Sequence, residues 1–244
     1  MEAVCGSAHY QIAAYWSRVL NKPAIKAYQA SRRGIVLTAN YTAKQKGVKT
    51  GQALWQAKSA CPDLVVVPPR MELYLQFSSM LREIYGEYTD LVEPFGIDES
   101  WLDITGSMHL FGGDPVAIAD ELRRRVREEL GLSISVGVSF NKIFAKLGSD
   151  YKKPDATTLI SPENWQEIVW PLPVGAMLFV GRSAQRTLAQ YGVETIGQLA
   201  ACRPEMLEKL LGKLGRQMHE YANGLDRSPV RPQAEREPVK SVGN

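Results

Sequence analysis

Between Leu91 and Thr105, two short apolar runs flank a pair of adjacent carboxylates, Asp98 and Glu99. This arrangement restricts the fold strongly, because carboxylates set among core-seeking residues must be compensated or held at the edge of the core. Val92, Phe95 and Ile97 on one side, and Trp101, Leu102 and Ile104 on the other, predict a strand, a turn and a second strand. On a continuous strand the two acids would point to opposite faces, whereas at a strand end or tight turn they can converge. Once converged they suit Mg²⁺, which takes one or two protein carboxylates together with substrate phosphates. The plainer reading is a polar turn that faces water, and spacing alone leaves both open.

The surrounding chain supplies the rest of a layered fold. Short β-branched runs at residues 34–39, 64–67, 133–139 and 156–160 predict strands. Tyr74, Phe77, Leu81, Ile84, Tyr85 and Tyr88 form the stripe of an amphipathic helix, and residues 52–60 a shorter one. Asp114-Pro115 caps and starts a helix with the face Ile118, Leu122, Val126 and Leu130, which Gly131 ends. A further helix is expected near Asn141–Ser149. After Trp165 only short helices with Gly and Pro breaks are predicted. The expected class is α+β: a ferredoxin-like sheet in the middle and an all-α C-terminal third.

Charge is unevenly spread. Ala3–Pro62 holds nine Lys and Arg residues and no Asp or Glu, so the remainder is net acidic. Such a stretch suits a surface that meets polyanions, or simply a solvated basic face. The three cysteines are widely spaced and the three histidines scattered, which argues against a disulfide framework or a zinc cluster. The start lacks the basic-then-apolar order of a secretory signal, so a cytoplasmic location is expected.

Three blocks carry a resemblance. Gly96-Ile97-Asp98-Glu99-Ser100-Trp101-Leu102-Asp103-Ile104-Thr105 resembles the acidic signature of the Y-family translesion DNA polymerases, of the DNA polymerase IV type. Arg33-Gly34-Ile35-Val36-Leu37-Thr38-Ala39-Asn40-Tyr41-Thr42-Ala43-Lys44 is similar to that family's finger segment. Val136–Asp150, followed by Lys153-Pro154, is similar to a third family block. The blocks occur in family order.

The resemblance implies a ferredoxin-like palm over 71–160, small α/β fingers over 20–70 and an all-α thumb over 161–230. It implies an atypical segment over 1–19, and over 231–244 a linker toward a little-finger domain that is absent from this chain. Asp98 and Glu99 would bind two Mg²⁺ ions and catalyse transfer from a deoxynucleoside triphosphate to a primer 3′-hydroxyl on template DNA. Tyr41, Lys44 and Lys153 would hold the triphosphate. Lys44 stands where Arg is frequent, which turns a bidentate contact into a point charge. Leu178–Ala184 is similar to the phosphate-binding turn of a helix-hairpin-helix, with Gly181 and Arg182 toward DNA and Phe179 where a first Gly is usual. Lys213 and Arg216 would add phosphate contacts. A monomer is expected, with a sliding clamp engaged only through a region beyond the linker.

The chain also departs from the pattern. The family opens with a strand bearing a metal-binding Asp, then an aromatic pair that excludes ribonucleotides. Neither is found: Met1–Cys5 matches the stretch that normally comes just after them, and no Asp precedes Asp63. Two-metal geometry would then be incomplete and activity severely reduced, at roughly 1.4 kcal/mol per decade of rate. A non-catalytic DNA-binding or repair accessory of the same fold is the second reading. A nucleotide cyclase is the third, and the finger block and helical thumb speak against it.

Overall fold

The computed structural model describes residues 3–8, 22–28 and 34–232. Most of the atypical segment 1–19, the Arg33 that opens the finger block and the linker from residue 233 onward lie outside the described residues. Two compact units emerge, one of residues 9–78 and the other of residues 1–8 with 79–244.

The N-terminal run β1 (Ala3–Ala8) belongs to the larger unit. The smaller unit is built on β2 (Ala24–Tyr28), β3 (Ile35–Ala39) and β4 (Val65–Val67), in the order β3-β2-β4. β2 runs antiparallel to β3 and parallel to β4. The apolar faces of these runs close over α1 (Tyr41–Gln45) and α2 (Leu54–Ala60), burying Ile25, Val36, Ala43, Leu54 and Leu64. Asn40 starts α1: its Oδ1 accepts from Ala43 N at 2.9 Å and from Ala24 N at 3.2 Å, which ties the helix to β2. The division between the units falls within α3 (Met71–Gly86).

The larger unit contains a five-stranded sheet of β1, β5 (Val92–Pro94), β6 (Glu99–Asp103), β7 (Ile134–Ser139) and β8 (Thr157–Ile160). Its order is β5-β6-β1-β7-β8. β1 lies between β6 and β7, antiparallel to both, with Ser7 opposite Glu99 and Cys5 opposite Gly137. A strand from this N-terminal stretch thus occupies the centre of the sheet, and it carries no aspartate. Register explains the position, since β6 and β7 each offer an antiparallel edge that a six-residue run can pair on both sides.

α4 (Pro115–Leu130) begins as the sequence predicts. Asp114 Oδ1 accepts from Val116 N at 2.9 Å, Pro115 occupies the first turn and Gly131 closes the helix at φ 65°. α5 (Lys142–Tyr151) is capped by Asn141, whose Oδ1 accepts from Phe144 N at 2.8 Å. It packs directly on β7 because Gly137 has no side chain: a Cβ there would sit 1.9 Å from Ala145 O and 2.5 Å from Ser149 N. Residues beyond β8 form α6 (Trp165–Val169), α7 (Arg182–Ala189), α8 (Ile196–Ala201), α9 (Pro204–Leu211) and α10 (Lys213–Ala222). Leu188, Ile196, Leu199, Leu207 and Met218 are fully buried and share one core with Phe144 and Ile160. Among the described residues no strand follows β8, in agreement with the all-α expectation.

Candidate catalytic site

The acidic turn folds as a tight reversal. Phe95 N donates to Glu99 O at 2.7 Å, and Gly96 takes φ 83°, a conformation that side chains resist. Glu99 becomes the first residue of β6, with Asp98 immediately before it. Behind the turn Trp101 is buried, and its Nε1 donates to Lys142 O at 3.0 Å. The strand end is thus fixed to the start of α5.

α5 then supplies the charges that answer the two acids. Lys146 Nζ lies 3.0 Å from Glu99 Oε1 and 2.6 Å from Asp150 Oδ2. Lys153 Nζ lies 2.5 Å from Asp150 Oδ1. Burial raises the Asp98 carboxyl above its ordinary range and the neighbouring Glu99 charge raises it further, while Lys153 and Lys146 pull against both. Desolvation pushes the Asp150 carboxyl up, yet hydrogen bonds from Lys146 and Lys153 outweigh it and hold this half-exposed carboxyl below the ordinary range. Asp98, Glu99, Lys146, Asp150 and Lys153 therefore form one electrostatic cluster.

The structure brings together three of the residues singled out from sequence, Asp98, Glu99 and Lys153. It adds Lys146 and Asp150, to which sequence reasoning gives no role. Their signal was available: the two lie four apart on one helix, a spacing that lets opposite charges meet. Tyr41 and Lys44 lie in the smaller unit on α1, with Lys44 Nζ 5.6 Å from the Tyr41 ring centroid. Burial raises the Tyr41 hydroxyl above its ordinary pKa. Gly181 and Arg182 are exposed at the start of α7, where Gly181 is the N-cap. Phe179, two residues earlier, adopts φ 70°, the left-handed conformation natural to the glycine that is usual there. Arg216 is ion-paired with Glu208 at 3.0 Å, which lessens its availability to phosphate.

The donor set suits a hard divalent cation with two protein carboxylates. Asp98 and Glu99 are adjacent, and the Asp98 carboxyl is raised by burial first and by the Glu99 charge second, both of which a cation would counter. Among the described residues no group of three or more His, Cys, Asp or Glu side chains is arranged to hold a metal. The fit is to a site completed by substrate oxygens, with Lys146 already competing for Glu99.

The impB/mucB/samB family matches residues 13–150, and the thumb domain of DNA polymerase-iota matches residues 179–226. The chain belongs to the Y-family, as a DNA polymerase IV homologue. DNA polymerase IV of Acetivibrio thermocellus is 50% identical over 94% of this chain and 58% of its own length. DNA polymerase IV 1 of Bacillus subtilis is 41% identical over 95% of this chain and 55% of its own. This family member thus spans a little over half the length of these curated relatives. Among solved structures, DinB from Sulfolobus solfataricus superposes with a TM-score of 0.85 at 26% identity, covering 95% of this chain and 70% of that one. An insertion ternary complex of Dbh DNA polymerase superposes at 0.83 and 26% identity, covering 94% and 69%. The finger, acidic-turn and helix–Lys-Pro blocks are accordingly those of a Y-family fold.

Proposed function

We propose that this chain carries the nucleotide- and template-binding core of a translesion DNA polymerase, with Asp98 and Glu99 as its cation-binding carboxylates. The observation that supports the reading most is the juxtaposition of two adjacent acids with Lys146 and Lys153 at one end of β6. The fingers correspond to the smaller unit, the palm to the five-stranded sheet with α4 and α5, and the thumb to residues 161–230. Lys153 supplies an ammonium to the triphosphate in the larger unit, and Tyr41 and Lys44 are the smaller unit's candidates for phosphate contact. Mg²⁺ bound at the carboxylates would activate a primer 3′-hydroxyl and neutralise charge at the α-phosphate. The protein's own part is positional: the acids hold the cation site, and the lysines neutralise and orient the phosphates. Gly181 and Arg182 offer a helix N-terminus and a cation to a DNA phosphate.

With Glu99 already paired to Lys146, extension by this chain is slow while DNA binding persists. This favours, as the second reading, an accessory that holds primed DNA. Primer extension in Mg²⁺ discriminates between them. Slow lengthening that vanishes in Asp98→Ala supports catalysis. Salt-sensitive binding of primed DNA with equal, negligible extension in both proteins supports the accessory. Equal, efficient extension by both would remove Asp98 from the mechanism.

A further inference from the structure

Lys153 sits in the five-residue connection between α5 and β8 and is held from two sides. On one side its Nζ pairs with Asp150 of α5 at 2.5 Å. On the other, two residues later, Asp155 is gripped by α4. The Arg123 guanidinium donates to the Asp155 carbonyl oxygen and, at 3.1 Å, to its Oδ1, while Arg127 donates to its Oδ2. The other arm of Arg123 reaches Asp120 Oδ1 at 2.8 Å and Thr157 Oγ1 at 3.3 Å. Thr157 in turn donates to Asp120 at 2.6 Å, so the fork spans the connection and the first residue of β8. The Arg123 side chain is only 18% exposed.

Asp155 needs this grip. It takes φ 53°, in the left-handed region, where a side chain survives only if its surroundings over-determine it. A planar guanidinium that binds both the main-chain carbonyl and the carboxylate of one residue provides such a determination, and a lysine does not. A connection this short leaves the backbone at residue 153 little freedom once residue 155 is fixed.

We propose that Arg123, seconded by Arg127, is a positioning residue for Lys153: α4 clamps Asp155 so that the lysine ammonium is presented to the phosphates of a nucleotide at the acidic turn. The inference rests on the nucleotide-binding reading of Lys153. It assigns a part in that site to a helix that contributes none of the residues expected to touch substrate.

The test is a double-mutant cycle on nucleotide affinity, using the 244-residue chain in Mg²⁺ and a fluorescent 2′-deoxynucleoside triphosphate. Lys153→Ala weakens binding roughly tenfold, as expected for loss of a charge-assisted contact. Arg123→Gln weakens it about three- to fivefold, and Arg123→Lys does not restore it. In the Lys153→Ala background, Arg123→Gln costs less than about twofold, because both substitutions remove the same interaction. Asp155→Gly keeps the left-handed backbone accessible while deleting the gripped carboxylate, and it reproduces the Arg123→Gln loss. It decides the matter should Arg123→Gln fail to fold. A full Arg123→Gln loss in the Lys153→Ala background would mark general damage and overturn the positioning role. So would an unchanged affinity in Arg123→Gln or Asp155→Gly while Lys153→Ala is weakened. No loss in Lys153→Ala itself, or no triphosphate binding by the unaltered chain, overturns the nucleotide reading and this inference with it.

Discussion

Glu99 Oε1 lies 3.0 Å from Lys146 Nζ, and the lysine keeps its hold on Asp150 at 2.6 Å while it does so. Both members of the Glu99–Lys146 pair are largely shielded, at 16% and 12% side-chain exposure. A shielded pair of this kind is only weak evidence for stability, since desolvation consumes much of the attraction. Its value here is geometric. It keeps a carboxylate oriented at the start of β6 beside Asp98, through a lysine that is shared with Asp150.

Asp98 makes stability depend on pH in an identifiable direction. Burial and the Glu99 charge raise its carboxyl above 3.8, so the folded chain binds this proton more tightly than the unfolded chain. Its contribution therefore falls as pH rises through the ordinary value to the raised one, and stays unfavourable above that. Asp98→Asn is expected to raise the melting temperature at pH 7 and to lose that advantage below about pH 3.8, where the native carboxyl is neutral as well. Thermal melts across this range check it, and a lower Tm for the variant at pH 7 refutes it.

Ser7 pairs with Glu99 in the β1–β6 register. Ser7→Asp places an acid at the register position paired with Glu99, as a candidate third carboxylate. Mg²⁺ or Mn²⁺ affinity by titration calorimetry should rise about tenfold, the equivalent of roughly 1.4 kcal/mol. Primer extension should rise with it. Unchanged metal affinity would show that β1 does not deliver side chains to this site.

Lys142 and Glu93 form a more deeply buried pair, 2.7 Å apart with side chains 9% and 16% exposed. Glu93 Oε2 also accepts from Arg231 N at 2.8 Å, and Lys142 Nζ stands 4.5 Å from the Trp101 ring centroid. Lys142→Met leaves Glu93 charged and without its cation, which should cost about 3 kcal/mol in urea unfolding. Adding Glu93→Leu should recover part of that loss. A single-variant cost below about 1 kcal/mol would mean that water replaces the ammonium.

Phe179 holds φ 70° with its ring half exposed and 6.3 Å from that of Tyr221. Phe179→Gly removes a left-handed penalty of about 1–3 kcal/mol, against some lost ring contact and a gain in unfolded-chain entropy. Net stability should rise by about 0.5–1 kcal/mol, measured by denaturant midpoint. Affinity for primed DNA should be kept or improved, since the glycine lets a phosphate approach the turn more closely. A fall in stability would place the aromatic contact above the backbone strain.

Much of this molecule can be read from its residues because local chemistry and tertiary structure agree. Asp114-Pro115 and Gly131 bound α4 as capping rules require, and the apolar runs become β3, β4, β7 and β8. The acidic turn is legible for the same reason, since a glycine with positive φ and two flanking apolar runs dictate a reversal. β1 is not legible: Ala-Val-Cys-Gly-Ser-Ala has weak strand preference, and the sheet recruits it through pairing on both edges. Lys146 and Asp150 are hard to single out because a helix-borne i,i+4 pair is usually surface decoration, and only the packing of α5 on β7 brings it to Glu99. The grip of Arg123 on Asp155 spans 32 residues, a separation that no local pattern encodes.

Gly137 and Gly148 meet with no side chain between strand and helix. The spacing between the acids on β6 and the lysine on α5 is consequently a main-chain dimension, shared through β1 and β7. Carboxylate and ammonium are thereby tied through main-chain contact, and a methyl group added at residue 137 would force β7 and α5 apart and pry the constellation open.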